Sequence, residues 1–169
     1  MSDGVTVDAN IMHAFTKSLI NKTDTHDKQL IEKLEKSHGF VIDTAGKMQH
    51  QWLETCGHMV FGEWLVQGLK GGIIRPVQAD LPNNHKKKLQ QDCGMPVKRE
   101  IMYVAVANAT ALRYIVTNDI DFWDPKSKKQ GKADQHDKIK RERRGAVCNY
   151  LAKSLKIYVG TTTMALAEL

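Results

Sequence analysis

The chain predicts an α/β fold, three layers deep, with a mostly parallel sheet at its centre. Two observations carry that expectation. Short β-branched segments alternate with longer stretches whose apolar residues recur at helical spacing, and strands separated by helices mark a parallel, helix-covered sheet. Two of the apolar segments, Val5-Thr6-Val7-Asp8-Ala9-Asn10 and Arg113-Tyr114-Ile115-Val116-Thr117-Asn118-Asp119-Ile120-Asp121-Phe122, run into carboxylates. In an open α/β sheet, ligands bind at the carboxyl ends of strands where the strand order reverses. Acids gathered there repel one another unless a cation or protons compensate. The pairing points to a divalent metal, and from there to chemistry on phosphate.

Each element has its own justification. A strand at about 4–8 leads into a helix at about 9–21, where Ile11, Phe15, Leu19 and Ile20 form the stripe. Asp24 or Thr25 caps a second helix carrying Leu30, Ile31 and Leu34, and Gly39 ends it. Phe40-Val41-Ile42-Asp43 reads as a strand turning at Ala45-Gly46. A long helical stretch follows from Lys47 to Lys70, with Gly57 or Gly62 as break points and Gly71-Gly72 as the stop. Ile73–Val77 contains Pro76 and so is at most an edge strand. A short polar helix holds Leu89. Pro96 opens a helix bearing Ile101, Val104, Ala105 and Ala109, and the strand 113–117 follows directly. A polar stretch precedes a basic helix ending near Leu155. Residues 156–159 form the last strand, and Thr161 to Leu169 a terminal helix.

The 169 residues make one domain, with a basic insertion at about 124–144 as the single shift in composition. A run of about 18 apolar residues is absent, so no membrane span is expected, and no secretory signal is visible at the N-terminus. Cys56, Cys93 and Cys148 are odd in number and far apart, which reads as reduced thiols of a cytoplasmic protein. The formal charge of +6 favours a polyanionic partner. A glycine-rich phosphate loop and a Gly-x-Ser-x-Gly elbow are both missing, which disfavours a P-loop kinase and a serine hydrolase. His50, Cys56 and His58 lack the close pairing of a structural zinc site.

The order and wording of these segments resemble the PIN domain, the metal-dependent nuclease fold. Val7-Asp8-Ala9-Asn10-Ile11 is similar to the family's Asp-x-Asn opening. Thr117-Asn118-Asp119-Ile120-Asp121-Phe122 is similar to its Thr-x-Asp-x-Asp-Phe motif. The stretch from Pro96 to Ala105 resembles the helix that brings in an acid before that motif, and Ile157–Thr162 the last strand and turn. The resemblance implies a metal-dependent endoribonuclease that hydrolyses single-stranded RNA with Mg2+ or Mn2+. Asp8, Glu100 and Asp119 are the metal ligands it implies. Asp121 and Glu54 join them as catalytic candidates that complete the shell or orient the water. Glu100 stands where the family more often has aspartate. Gln51 falls at the remaining acid position, and Glu54, one turn on, is its candidate substitute.

Asn10 and Thr117 are expected to position substrate or ligands, and Arg141, Arg143 and Arg144 to hold RNA backbone. The run Lys86-Lys87-Lys88 is a weaker candidate for the same role. Partners in this reading are single-stranded RNA, a protein inhibitor if the chain is the toxin of a toxin–antitoxin pair, and a second copy in a homodimer. A second reading is a catalytically weakened PIN-like module that binds RNA or protein, which Gln51 and Glu100 favour. A third, a phosphatase using Asp8 as nucleophile, usually needs an aspartate where this chain has Asn10. Each acid also has a bland explanation: Asp8 as a helix cap, Glu100 as a first-turn residue favoured by the dipole, Glu54 as a solvated helix side chain.

Overall fold

The computed structural model describes residues 3–96 and 99–169. Strand β1 (Thr6–Val7) feeds helix α1 (Ala9–Asn21), whose buried stripe is Ile11, Met12 and Phe15; of the expected stripe, Leu19 is half-buried and Ile20 is exposed at the helix's last turn. Helix α2 (His26–Lys36) is capped by Thr25, whose hydroxyl accepts from the Lys28 amide at 3.2 Å. Of the two cap candidates, Thr25 is therefore the one used. Strand β2 (Phe40–Asp43) is buried along its length. The long helical stretch splits at Gly57, where φ is +50°, into α3 (Lys47–Cys56) and α4 (Met59–Lys70). His58 restarts the backbone by accepting from the Val60 amide at 3.1 Å. Strand β3 (Ile74–Val77) sits at the edge, where Pro76 lacks no ladder partner it needs.

Helix α5 (Asn83–Lys87) continues as a wide π turn to Asp92. Helix α6 (Glu100–Asn108) starts later than Pro96, and residues 97 and 98 lie outside the described residues. Strand β4 (Tyr114–Val116) excludes Arg113, whose φ of +52° is left-handed. The polar stretch 124–134 holds a short helix, α7 (Lys126–Lys129), and the single basic helix expected after it up to Leu155 is broken into α8 (His136–Arg141) and α9 (Ala146–Tyr150), which runs on as a π turn to Leu155. The break falls at Arg143 and Gly145, both at positive φ. At Gly145 the backbone passes so close to Trp123 that a Cβ would sit 2.1 Å from its carbonyl oxygen. Only glycine fits there. Strand β5 (Tyr158–Gly160) and helix α10 (Thr162–Glu168), capped by Thr161, close the chain.

All strand pairs are parallel. β1, β4 and β5 form a three-stranded sheet in the order β1–β4–β5, and β2 pairs with β3. A parallel bridge between Val5 and Phe40 joins the two, with Val5 donating to the Gly39 carbonyl at 3.0 Å and Val41 to the Val5 carbonyl at 3.1 Å. The strands thus run β3–β2–β1–β4–β5. The chain winds outward from β1 to β3, then crosses back to place β4 on the other side of β1, so the order reverses between β1 and β4. Helix α6 packs across β1, β2 and β4, while α1 packs with α2, α3 and α4. Phe15, Phe40, Trp52, Phe61 and Trp64 meet edge-to-face or stacked at one end of the core. Trp52 is fully buried and donates its indole N–H to the Val7 carbonyl at 3.0 Å, pinning α3 to the first strand. Phe122 and Trp123 are also core residues. No helix among the described residues is long and apolar enough to cross a membrane.

Candidate metal centre and active-site cleft

The reversal between β1 and β4 places Asp8 and the 117–121 segment side by side. Asp8 directly follows β1 at the N-cap position of α1, yet its side chain makes no cap hydrogen bond. Thr117, one residue past β4, donates its hydroxyl to Asp8 Oδ2 at 2.7 Å. The same hydroxyl accepts from the Asp119 amide at 3.0 Å, so one threonine ties the two strand-end acids together. Asp119 Oδ1 accepts from the Asp121 amide at 3.0 Å and so shapes the tight turn after the strand. Asp119 thus caps this short turn, while Asp8, at the N-cap position of α1, is held by Thr117 with the Ala9 and Asn10 amides beside its carboxylate.

Glu100 arrives from the first turn of α6. Among the described residues, Glu100, Asp119 and Asp121 form a group in which one carboxylate oxygen from each lies within 4.8 Å of the others. Asp8 borders the same cleft, a small hollow of about 80 Å³ that Gln51, Arg99, Glu100, Tyr103 and Asp119 also line. The cluster of three thus differs from the expected ligand set Asp8, Glu100 and Asp119: Asp121 takes the third place, and Asp8 lines the hollow beside Glu100 and Asp119, held by Thr117.

The electrostatics follow from the crowding. Burial lifts the Asp8 carboxyl above its ordinary value; the Thr117 hydrogen bond opposes this and the Asp119 charge adds to it. Burial also raises Glu100, with Asp119 and Asp121 pushing the same way. Lys128, on α7, answers the charge. Its ammonium lies 2.9 Å from Asp121 Oδ1 and 3.9 Å from Asp119 Oδ1. Desolvation pulls its pKa down, but Asp121, Asp119 and Glu100 together outweigh that and hold it above the ordinary lysine value.

Tyr103 forms the floor. It is almost fully buried, donates to Gln51 Oε1 at 2.6 Å and accepts from the Ala9 amide at 3.2 Å. Burial drives its phenol far above the usual range, so it stays a neutral donor. Gln51 is therefore in the cleft, where a carboxylate at its position would add a charge. Glu54 is not among the cleft residues. It is exposed, lies 2.9 Å from His50 Nε2 one turn earlier on α3, and lines a neighbouring hollow instead. Asn10 lies in the first turn of α1 and borders the cleft without capping the helix.

Among the described residues, none of the three arginines of the insertion pairs with the cleft acids. Arg143 forks onto both oxygens of Glu168 at 2.5 and 2.6 Å and donates to the Val159 carbonyl at 3.1 Å, which ties the insertion to α10 and β5. Arg144 pairs with Glu142 at 2.7 Å, and Arg141 donates to the Asp137 carbonyl of its own helix at 3.4 Å. From the insertion, Lys128 and Lys140 reach the acidic edge instead; the Lys140 ammonium donates to the Asn118 carbonyl and lies 5.8 Å from the Trp123 ring centre. Sequence reasoning counted both among the basic residues but could not single them out, because a charge run has no periodicity that points one member inward. Tyr103 was more accessible: it falls three residues after Glu100, on the same helical face.

Comparison with family models, with curated proteins and with solved structures finds no match to this chain.

Proposed function

We infer that the chain is a divalent-metal-dependent endoribonuclease acting on single-stranded RNA, built as a three-layer PIN-like domain. The observation that carries the reading is the convergence of Glu100, Asp119 and Asp121, with Asp8 beside them, at the reversal point of a parallel sheet. The donor set fits a hard cation, since it offers carboxylate oxygens alone. Opposed ligands on Mg2+ span about 4.2 Å and on Ca2+ about 5 Å, so the 4.8 Å spread needs only a small closure for the smaller ion. The Lys128 ammonium at 2.9 Å from Asp121 marks the same spot as one that takes positive charge.

A divalent ion bound there supplies an acidified water and charge neutralisation for the phosphate. The residues do the rest. Glu100, Asp119 and Asp121 hold the ion. Thr117 fixes Asp8 and the Asp119 backbone in one arrangement, so the acids need no reorganisation when substrate arrives. Asp8, with its raised pKa, is the group suited to hold or pass a proton at its Oδ atoms. Lys128 and Lys140 flank the acids and offset their repulsion of an incoming phosphodiester.

A weakened, RNA-binding variant of the same architecture is the second reading. Gln51 stands neutral in the cleft on Tyr103, and Lys128 neutralises part of the cluster. Incubating the purified chain with a labelled single-stranded RNA, with Mn2+ or with a chelator, separates the two. The nuclease reading expects manganese-dependent cleavage products; the binding-module reading expects a shifted but intact RNA.

A further inference from the structure

A second, larger hollow lies along the same edge of the sheet. It measures about 540 Å³ and shares two walls, Gln51 and Arg99, with the acidic cleft. Asp43, the last residue of β2, and Lys47 just beyond it border the hollow, with Ala79 to Leu81 beyond β3 and Ile101, Met102 and Ala105 from α6. It therefore sits at the carboxyl ends of β2 and β3, while the acids sit at those of β1 and β4. Two strand spacings, about 10 Å, separate the two.

Its chemistry is two-sided. Leu81, Ile101 and Ala105 are buried apolar residues on its wall, and Met102 is a half-buried one. Among the described residues, its cations Lys47, Lys86 and Arg99 make no ion pair. Two of its three acids are already engaged: Asp43 accepts from the Lys47 and Met48 amides at 3.0 and 2.8 Å, and Glu54 pairs with His50. The formal charges of the lining balance, but Asp43 and Glu54 have their oxygens turned onto partners, which leaves Lys47, Lys86 and Arg99 as the groups able to meet an anion. Pockets of roughly 300–1,000 Å³ with apolar walls and a few polar groups take small organic ligands. An anion carrying a flat apolar face fits this one.

We propose that this hollow is a nucleotide subsite: it holds the base of a nucleotide against Leu81, Ile101 and Met102 while Arg99 grips the phosphate leading toward Glu100, Asp119 and Asp121. The assignment of that nucleotide to the cleaved strand rests on the nuclease reading above; the binding of a nucleotide does not. A guanidinium suits the shared wall, because it can fork onto a phosphate as a lysine cannot. Methionine suits the base side, since its thioether packs favourably against an aromatic edge.

The test uses the full chain, free of divalent metal, with methyl groups of methionine and alanine isotopically labelled. Adenosine and uridine monophosphates are titrated to about 10 mM, well above the dissociation constant of a weak subsite, with inorganic phosphate as a parallel titrant. The methyl resonances of Met102, Ala105 and Ala79 should shift with at least one nucleotide and stay in place with phosphate. Arg99→Gln should weaken that binding about tenfold, and Ala105→Trp, which fills the hollow, should abolish it. Because Ala105→Trp can also disturb α6, Arg99→Gln at the rim is the decisive variant. Equal responses to phosphate and nucleotide, no response to any nucleotide, or unchanged affinity in Arg99→Gln would each overturn the proposal. Nucleotide binding here without RNA cleavage refutes the nuclease and keeps the subsite. Cleavage without nucleotide binding does the reverse.

Discussion

Replacing Lys128 by methionine should tighten divalent binding. The ammonium lies 2.9 Å from Asp121 Oδ1 and 3.9 Å from Asp119 Oδ1, on two of the three carboxylates assigned to the ion. An ion can use those oxygens only after the lysine has left them. Asp121 is 8% exposed and Lys128 is 51% exposed, so the attraction is partly screened by solvent. A screened pair of this kind is worth about 1 kcal/mol, with a few tenths more for the longer contact to Asp119. Summed, that is close to the roughly 1.4 kcal/mol of a tenfold change in affinity. Lys128→Met should therefore bind Mn2+ about tenfold tighter in a calorimetric titration at fixed pH. Its metal-free form should melt about 2–4 °C lower, because the acids lose their counter-charge. Lys138→Met is the control: that lysine is 64% exposed and 4.0 Å from Glu142 on its own helix, and its loss should leave metal affinity unchanged. Unchanged or weaker Mn2+ binding in Lys128→Met would show that the ammonium does not compete for the ion's place.

Other substitutions test other parts of the cleft. Asp8→Asn should abolish cleavage and raise the thermal stability of metal-free protein. The native Asp8 carboxyl holds its proton to higher pH than the unfolded one, whose value is near 3.8; wild-type stability should thus fall as pH rises from about there through the folded pKa, and Asp8→Asn should flatten that decline in pH-dependent melting curves. Tyr103→Phe leaves the buried Ala9 amide and Gln51 without a partner, and should cost about 1–3 kcal/mol in chemical denaturation. Arg143→Ala breaks the fork onto Glu168 and should cost about 1 kcal/mol, whereas Arg141→Ala should leave the melting temperature unchanged. If Lys140 contacts RNA backbone, Lys140→Ala in a cleavage-deficient Asp119→Asn background should reduce the slope of log affinity against log salt by about 0.7; an unaltered slope rules that contact out.

The parts of the molecule legible in the sequence were those fixed by local chemistry. The β-branched runs at Phe40–Asp43 and Tyr114–Val116, the helix stripe of α1, and the break at a glycine between α3 and α4 all follow from side-chain type and spacing. The adjacency of Asp8 and the 117–121 segment was legible too, because strand ends at a sheet's reversal point must be neighbours. What the sequence did not disclose depends on long-range packing. The basic stretch breaks at Gly145 because Val147 and Cys148 donate to the Trp123 carbonyl, a contact across the fold that no window of sequence contains. Arg143 serves α10 rather than the acidic cleft for the same reason, while Lys128 turns inward because the short helix 126–129 follows directly on the turn that holds Asp121. Gln51 lines the cleft, but its partner, Tyr103, became visible only when α3 and α6 came together.

The assay that bears most directly on the acidic cleft is cleavage of single-stranded RNA by purified protein. Wild type, Asp119→Asn and Glu100→Gln are compared with Mn2+ present, absent, and restored after chelation. We expect 5′-phosphate products from the wild type that disappear on chelation and return with Mn2+, and loss of activity in both variants with the fold intact by circular dichroism. Cleavage that persists under chelation, or that survives Asp119→Asn at the wild-type rate, would contradict the assignment of Glu100, Asp119 and Asp121 as the metal centre of a nuclease.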